Sequence, residues 1–259
     1  MNSISSLAER FSLAGKRILY TGAAGGLGLA TTLELLALGG EVIAIDNNAA
    51  KVKELNDAVP SEQGDRLTLL EIDLADHVTL QRQLADIART RAIDVVINNA
   101  AIYPSKPFEE YSLEDMRAVH AINVEAALLC TRAALPGMRE QGWGRIINVS
   151  SITLSGGWAN LTPYVQSKGA LLGLTRSWAR EFGPWGITCN AVAPGAFPTD
   201  AEKIHPNPEQ YNQFVLDHQA LKRRGEPIDI AGVIAFLASD AASFVTGQSI
   251  GVNGGWVMD

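Results

Sequence analysis

The sequence predicts a single-domain α/β fold in which a doubly wound parallel sheet carries helices on both faces. Three observations support this. Short β-branched or apolar runs recur along the 259 residues, each followed by a longer segment of helical spacing. Strand and helix therefore alternate, the pattern that builds parallel sheets through crossover helices. The runs are almost continuously apolar, as strands covered on both faces require.

In chain order, residues 1–13 read as an N-terminal extension, and the first strand is expected over residues 17–20, where Ile18, Leu19 and Tyr20 follow one another. Further strands are expected at 42–45, 67–72, 95–97, 145–149, 187–192 and 249–252, each a short run rich in Val, Ile or Leu bounded by polar residues or Gly. Helical spacing falls near 26–38, 49–58, 77–91, 113–138, 163–182 and 227–238. The segment 196–222 is irregular, with Pro198, Pro206, Pro208 and several charges, and reads as a lid or substrate loop. No composition shift, low-complexity tract or repeat divides the chain, so residues 1–259 form one expected domain.

Composition narrows the function. A net charge of −7 and a pI near 5.2 argue against a nucleic-acid partner, which needs a clustered basic surface. Cys130 and Cys189 form no CxxC pair and read as buried thiols. His77, His120, His205 and His218 lack metal-ligand spacing, so no metal is expected. Residues 1–16 lack a secretory apolar core, and Gly, Pro, Ser and Asn interrupt the longer uncharged stretches. A cytoplasmic protein without a membrane span is expected.

Glycine is in excess, at 24 residues, and its most telling cluster follows the first strand as Thr21-Gly22-Ala23-Ala24-Gly25-Gly26-Leu27-Gly28. Glycines between a strand and a helix let backbone N–H groups approach a pyrophosphate, which the helix dipole also attracts, as in Rossmann-type folds. A tight structural turn is the other reading. Eighteen residues past Gly28, Asp46 closes the second strand, where a carboxylate can bond ribose hydroxyls and repel a 2′-phosphate. Asn47, Asn48 and the glycine turn supply no Lys or Arg, so NAD is the expected cofactor, although Asp46 could instead open a turn with the two asparagines. Tyr164 and Lys168 lie four apart on a predicted helix, and an ammonium beside a phenol would lower its pKa for proton transfer.

With these residues in place the chain resembles a short-chain dehydrogenase/reductase of the roughly 250-residue type. The match covers residues 13–256: TGxxxGxG at Thr21–Gly28, Asn98-Asn99-Ala100, Asn123, Ser151, Tyr164, Lys168, and Pro194-Gly195 with Thr199. The resemblance implies that Ser151 holds the substrate oxygen, with Ser150 as the competing position. It implies that Tyr164 moves the proton, that Lys168 tunes Tyr164 and binds the nicotinamide ribose, and that Asn123 holds a relay water unless its amide merely braces a helix kink. It places Asp73 and Leu74 at the adenine, Asn99 or its neighbours at the adenosine ribose, and the backbone near Phe197 with Thr199 at the carboxamide, Gly195 shaping the nicotinamide-side loop. Asp73 or Asp76 could alternatively cap the following helix. Departures are Ala101 in place of a glycine, Asn253 within Val252-Asn253-Gly254-Gly255, and Phe197 where an aliphatic is commoner.

For the small-molecule substrate, Trp158 offers an aromatic plate and Asn160 a polar contact beside Ser151 and Tyr164, which suits a sugar or polyol. Lys203, His205, Lys222, Arg223 and Arg224 would add an anion contact for a sugar acid. An aromatic secondary alcohol, a 3-oxoacyl carbonyl and a non-catalytic NAD sensor are the alternatives. Apolar residues on several sides of the two longest helices point to self-association, and the resemblance implies a homotetramer built on them.

Overall fold

The computed structural model describes residues 6–200, 202 and 206–258. Its centre is a seven-stranded sheet of β1 (Arg17–Thr21), β2 (Glu41–Asp46), β3 (Leu67–Glu71), β4 (Val95–Asn98), β5 (Gly144–Val149), β6 (Ile187–Pro194) and β7 (Ser249–Val252). Every pairing is parallel, and the order is β3-β2-β1-β4-β5-β6-β7. The order reverses between β1 and β4, whose last residues, Thr21 and Asn98, lie in register.

Helices α1 (Leu7–Phe11), α2 (Gly28–Ala37), α3 (Ala49–Ala58), α4 (His77–Thr90), α5 (Leu113–His120), α6 (Ala126–Gln141), α7 (Thr153–Gly156), α8 (Thr162–Phe182), α9 (Pro208–His218) and α10 (Pro227–Ala238) complete the fold. One core layer joins Leu35 and Leu36 of α2, Leu55 of α3 and Ile230 and Ile234 of α10 to the sheet. The other joins Leu80 and Leu84 of α4, Cys130 and Met138 of α6 and Trp178 of α8 to the opposite face. Both cysteines are fully buried.

The structure departs from the sequence expectation in four places. The edge strands β3 and β7 are only half covered, because each has a neighbour on one side alone. The expected 113–138 helix is interrupted by a π-helical turn, Ala121–Glu125, between α5 and α6. Although the run Leu113–Gln141 is long and apolar enough to cross a membrane, it packs on the sheet and α4. The segment 196–222 is not wholly irregular, since α9 forms within it: Asn207 caps the helix by accepting from Gln210 N–H at 3.0 Å, and Pro208 takes the first turn. In the expected N-terminal extension, α1 docks Phe11 on Phe236 of α10 with ring centroids 6.1 Å apart.

Candidate active site

The carboxyl ends of β1, β2, β4, β5 and β6 open into one cleft, a cavity of about 390 Å³ at the strand-order reversal. Doubly wound sheets bind ligands at this position. Gly22 turns the chain out of β1 at φ +67°. Its N–H donates to the Ile45 carbonyl at 2.7 Å, and the Asn99 carboxamide donates to the Thr21 and Gly22 carbonyls at 3.1 and 3.0 Å. A Cβ at Gly22 would meet Asn99 Nδ2 at 2.8 Å, and one at Gly26 would meet Thr199 Cγ2 at 2.6 Å. Gly22, Gly25, Gly26, Leu27 and Asn99 line the cleft, and this glycine-rich cradle over the start of α2 fits a dinucleotide pyrophosphate. Gly28 does not line it. There a Cβ would lie 2.1 Å from the Gly22 carbonyl oxygen, so this glycine serves helix–turn packing rather than ligand contact.

Asp46 lines the cleft and also braces the turn, accepting from Ala24 N–H at 3.2 Å and Asn48 N–H at 3.1 Å. Asp73 and Leu74 line the same end, while Asp76 caps α4 by accepting from Thr79 N–H at 3.0 Å. Sequence reasoning missed Lys51, which enters the cleft lining from α3 and pairs with Asp200. Ala101 does not adopt a positive φ, so its departure from glycine is without strain. Asn253 accepts from Gly255 and Trp256 N–H at 2.9 and 3.0 Å and so shapes the glycine turn after β7. Pro194, Gly195, Phe197 and Thr199 line the cleft below β6.

Ser151, Tyr164 and Lys168 converge at the other end. Ser151 Oγ accepts from Thr153 N–H at 3.1 Å and hydrogen-bonds with Tyr164. Ser150, which also lines the cleft, donates instead to the Lys168 carbonyl at 3.3 Å. Lys168 is 2% exposed; its Nζ donates to the Val149 carbonyl at 2.7 Å and lies 5.4 Å from the Tyr164 ring centroid. Burial pushes the Lys168 ammonium down to about 7. Tyr164 lines the cleft half-buried, and burial raises the phenol despite the opposing Ser151 bond. Desolvation disfavours the charge on both groups and outweighs the lowering of Tyr164 that their spacing leads one to expect.

Asn123 is 2% exposed and does not line the cleft. Its amide donates to the Ile102 carbonyl and Ser167 Oγ at 3.0 and 2.9 Å, and its oxygen accepts from Ile102 N–H at 2.9 Å. The side chain thus braces the π-helical turn against the 101–103 loop and α8. Beneath the site runs a hydrogen-bond chain that no sequence pattern marks, Asn98 Nδ2 to Asn148 Oδ1 at 2.8 Å and Asn148 Nδ2 to Thr175 Oγ1 at 2.9 Å.

Trp158 lines the substrate end with Tyr103, Thr153, Leu161, Glu202 and Tyr211. Tyr103 stands edge-on to Tyr164 at 6.1 Å. Asn160, expected at the substrate, is instead exposed at φ +62°, and its carbonyl accepts from Lys106 N–H and the Tyr111 hydroxyl, so it turns the loop outside the cleft lining. Of the expected anion contacts, Lys203 and His205 lie outside the described residues. Arg223 pairs with Asp229, Arg224 with Glu202, and Lys222 donates to the carbonyls of Leu216 and Gln219.

A family model described as enoyl-(acyl carrier protein) reductase matches residues 22–257. The chain belongs to the short-chain dehydrogenase/reductase family. It is 33% identical over 244 residues to the 3-oxoacyl-[acyl-carrier-protein] reductase of Aquifex aeolicus, covering 94% of this chain and 98% of the relative. It is 32% identical to the 2-dehydro-3-deoxy-D-gluconate 5-dehydrogenase of Bacillus subtilis, covering 97% and 98%. A solved gluconate 5-dehydrogenase from Burkholderia cenocepacia, in complex with NADP and tartrate, superposes with a TM-score of 0.89 at 28% identity, covering 97% and 98%. The fold binds a nicotinamide dinucleotide, and this short-chain dehydrogenase/reductase is an oxidoreductase.

Proposed function

We propose that the protein is a NAD-dependent dehydrogenase acting on the CH–OH group, as secondary alcohol or hemiacetal, of a sugar, sugar acid or polyol, or reducing the matching carbonyl. The observation that carries this reading is the convergence of Ser151, Tyr164 and Lys168 at one end of a cleft whose other end holds Asp46. When bound, the nicotinamide supplies the hydride acceptor or donor. Ser151 Oγ orients the substrate oxygen by hydrogen bonding. The Tyr164 hydroxyl takes the alcohol proton in oxidation and returns one in reduction. Lys168 binds the nicotinamide ribose hydroxyls, and a charge induced on it by bound anionic groups would ease ionisation of Tyr164. Asp46 favours NAD, because its carboxylate accepts from ribose hydroxyls and repels a 2′-phosphate.

Trp158 offers a flat face to a sugar ring, and the gluconate-type relatives support a hydroxylated substrate. With Lys222, Arg223 and Arg224 engaged elsewhere, an uncharged sugar or polyol stands ahead of a sugar acid. The second reading, an aromatic secondary-alcohol dehydrogenase or 3-oxoacyl-type reductase, is favoured by the apolar walls Tyr103, Leu161 and Tyr211 and by the reductase relative. We propose a cytoplasmic homotetramer built on the α5–α6 and α8 surfaces, where Leu113 and Leu128 are exposed, and light scattering tests the assembly.

A screen of NAD and NADP reduction across sugars, sugar acids, polyols and aryl alcohols, with 3-oxoacyl thioesters in the reverse direction, tests the substrate class. On the accepted substrate, Tyr164→Phe should bind NADH normally and lose turnover about 10³-fold. Unimpaired turnover would remove Tyr164 from the mechanism.

A further inference from the structure

The cleft contains an ion pair to which the Ser151, Tyr164 and Lys168 chemistry assigns no task. Lys51 sits in the first turn of α3, and its Nζ lies 2.5 Å from Asp200 Oδ2 on the segment leaving β6. Both residues line the cleft, with side chains 30% and 45% exposed. The pair joins the adenosine-side wall, which includes Asp46, to the lid-side wall, which includes Thr199. The Lys51 ammonium is within electrostatic reach of Asp46 and Tyr103, which line the same cleft.

The charge of the walls makes this placement consequential. Asp46, Asp73, Asp200 and Glu202 face Lys51 and Lys168. The Lys168 amine is already engaged by the Val149 carbonyl, whereas Lys51 stands at the cleft surface and is kept charged by Asp200. A dinucleotide brings at least two phosphate charges into this acidic groove. The N-terminus of α2 supplies only the fractional charge of a helix dipole.

We infer that Lys51 is a phosphate-binding residue for the dinucleotide, exchanging the Asp200 carboxylate for a phosphate oxygen as the cofactor enters. The inference rests on dinucleotide binding at this cleft. The exchange replaces one ion pair by another, and it releases the lid-side wall from the adenosine-side wall while the cofactor passes. The phosphate has two sources: the diphosphate common to NAD and NADP, or the 2′-phosphate that NADP alone carries beside Asp46.

Fluorescence titration of the full-length protein with NADH and NADPH at low salt tests this, using Lys51→Gln, Lys51→Arg and Asp200→Asn. Lys51→Gln should weaken binding about tenfold, the size of a lost charge-assisted hydrogen bond. Lys51→Arg should restore most of that loss, and Asp200→Asn should tighten binding several-fold by freeing the ammonium. Equal losses for NADH and NADPH assign the contact to the diphosphate, and a loss confined to NADPH assigns it to the 2′-phosphate. The difference between wild type and Lys51→Gln should shrink as salt rises. Dissociation constants within twofold of wild type for both dinucleotides in Lys51→Gln, or a salt-independent difference, would overturn the inference with the dinucleotide site intact. A wild-type protein that binds neither dinucleotide would overturn the dinucleotide reading itself.

Discussion

Replacing Lys168 by Met should stabilise the fold while abolishing turnover. Lys168 is buried, and its pKa falls from 10.5 to about 7 through desolvation. At 1.36 kcal/mol per unit this is a penalty of about 5 kcal/mol for keeping the amine inside rather than in water. Because the folded pKa is depressed, the unfolded chain binds more protons between about pH 7 and 10.5, so wild-type stability rises with pH across that window and is lowest below it. Met removes the ionisable group and fills similar space. It also removes the 2.7 Å bond to the Val149 carbonyl, which costs about 1–3 kcal/mol. The balance leaves Lys168→Met more stable by about 2–4 kcal/mol near pH 6, and the advantage shrinks by about 1.4 kcal/mol per unit above pH 7. Urea denaturation of both proteins at fixed concentration, followed by tryptophan fluorescence from about pH 6 to pH 9, measures the difference. Subtracting wild type from variant cancels the titration of Cys130, Cys189 and the tyrosines, which both proteins share. A variant no more stable than wild type near pH 6, or a difference independent of pH, would refute the desolvation argument. Such a lysine destabilises the fold it sits in, which is the pattern expected of a group kept for chemistry.

Two further outcomes follow from the packing. Gly28→Ala would place a Cβ 2.1 Å from the Gly22 carbonyl oxygen, and the backbone shift should lower stability by about 3 kcal/mol, read as a fall in melting temperature, and weaken NADH binding with it. Trp256 touches Trp158 at 5.5 Å, His218 at 5.4 Å and Phe214 at 5.7 Å, so it ties α9 to the substrate loop. Trp256→Ala should raise KM severalfold with kcat within about threefold of wild type, and a lowered kcat at unchanged KM would contradict that positioning role.

Much of the fold was legible because its signals are local. Helices α3 and α10 fall on their expected residues 49–58 and 227–238, and the strand starts hold to within one residue. Helix α9 was hidden because Pro208 reads as a breaker inside a proline-rich stretch, whereas after Asn207 it occupies the first helical turn. Asn160 looked like a substrate contact by its neighbours in sequence, but its left-handed backbone turns it away from the cleft. The competition between Ser150 and Ser151 could not be resolved by spacing, since adjacent residues at a strand end point to opposite sides. Lys51 escaped notice because its partner Asp200 lies 149 residues away in the chain.

By itself the sequence determined the alternating α/β pattern, the glycine turn, the acidic residue closing β2 and the four-residue spacing of Tyr164 and Lys168. Each is a short-range pattern, set by backbone conformational preference and helix or strand periodicity. The tertiary structure decided what surrounds those residues. It buried Lys168 and half-buried Tyr164, so that desolvation shifts both pKa values against the charged forms. It engaged the Asn123 amide in bracing and brought Lys51 onto Asp200 across the cleft. Burial and long-range pairing depend on which elements the sheet order makes neighbours, and no local pattern encodes that order.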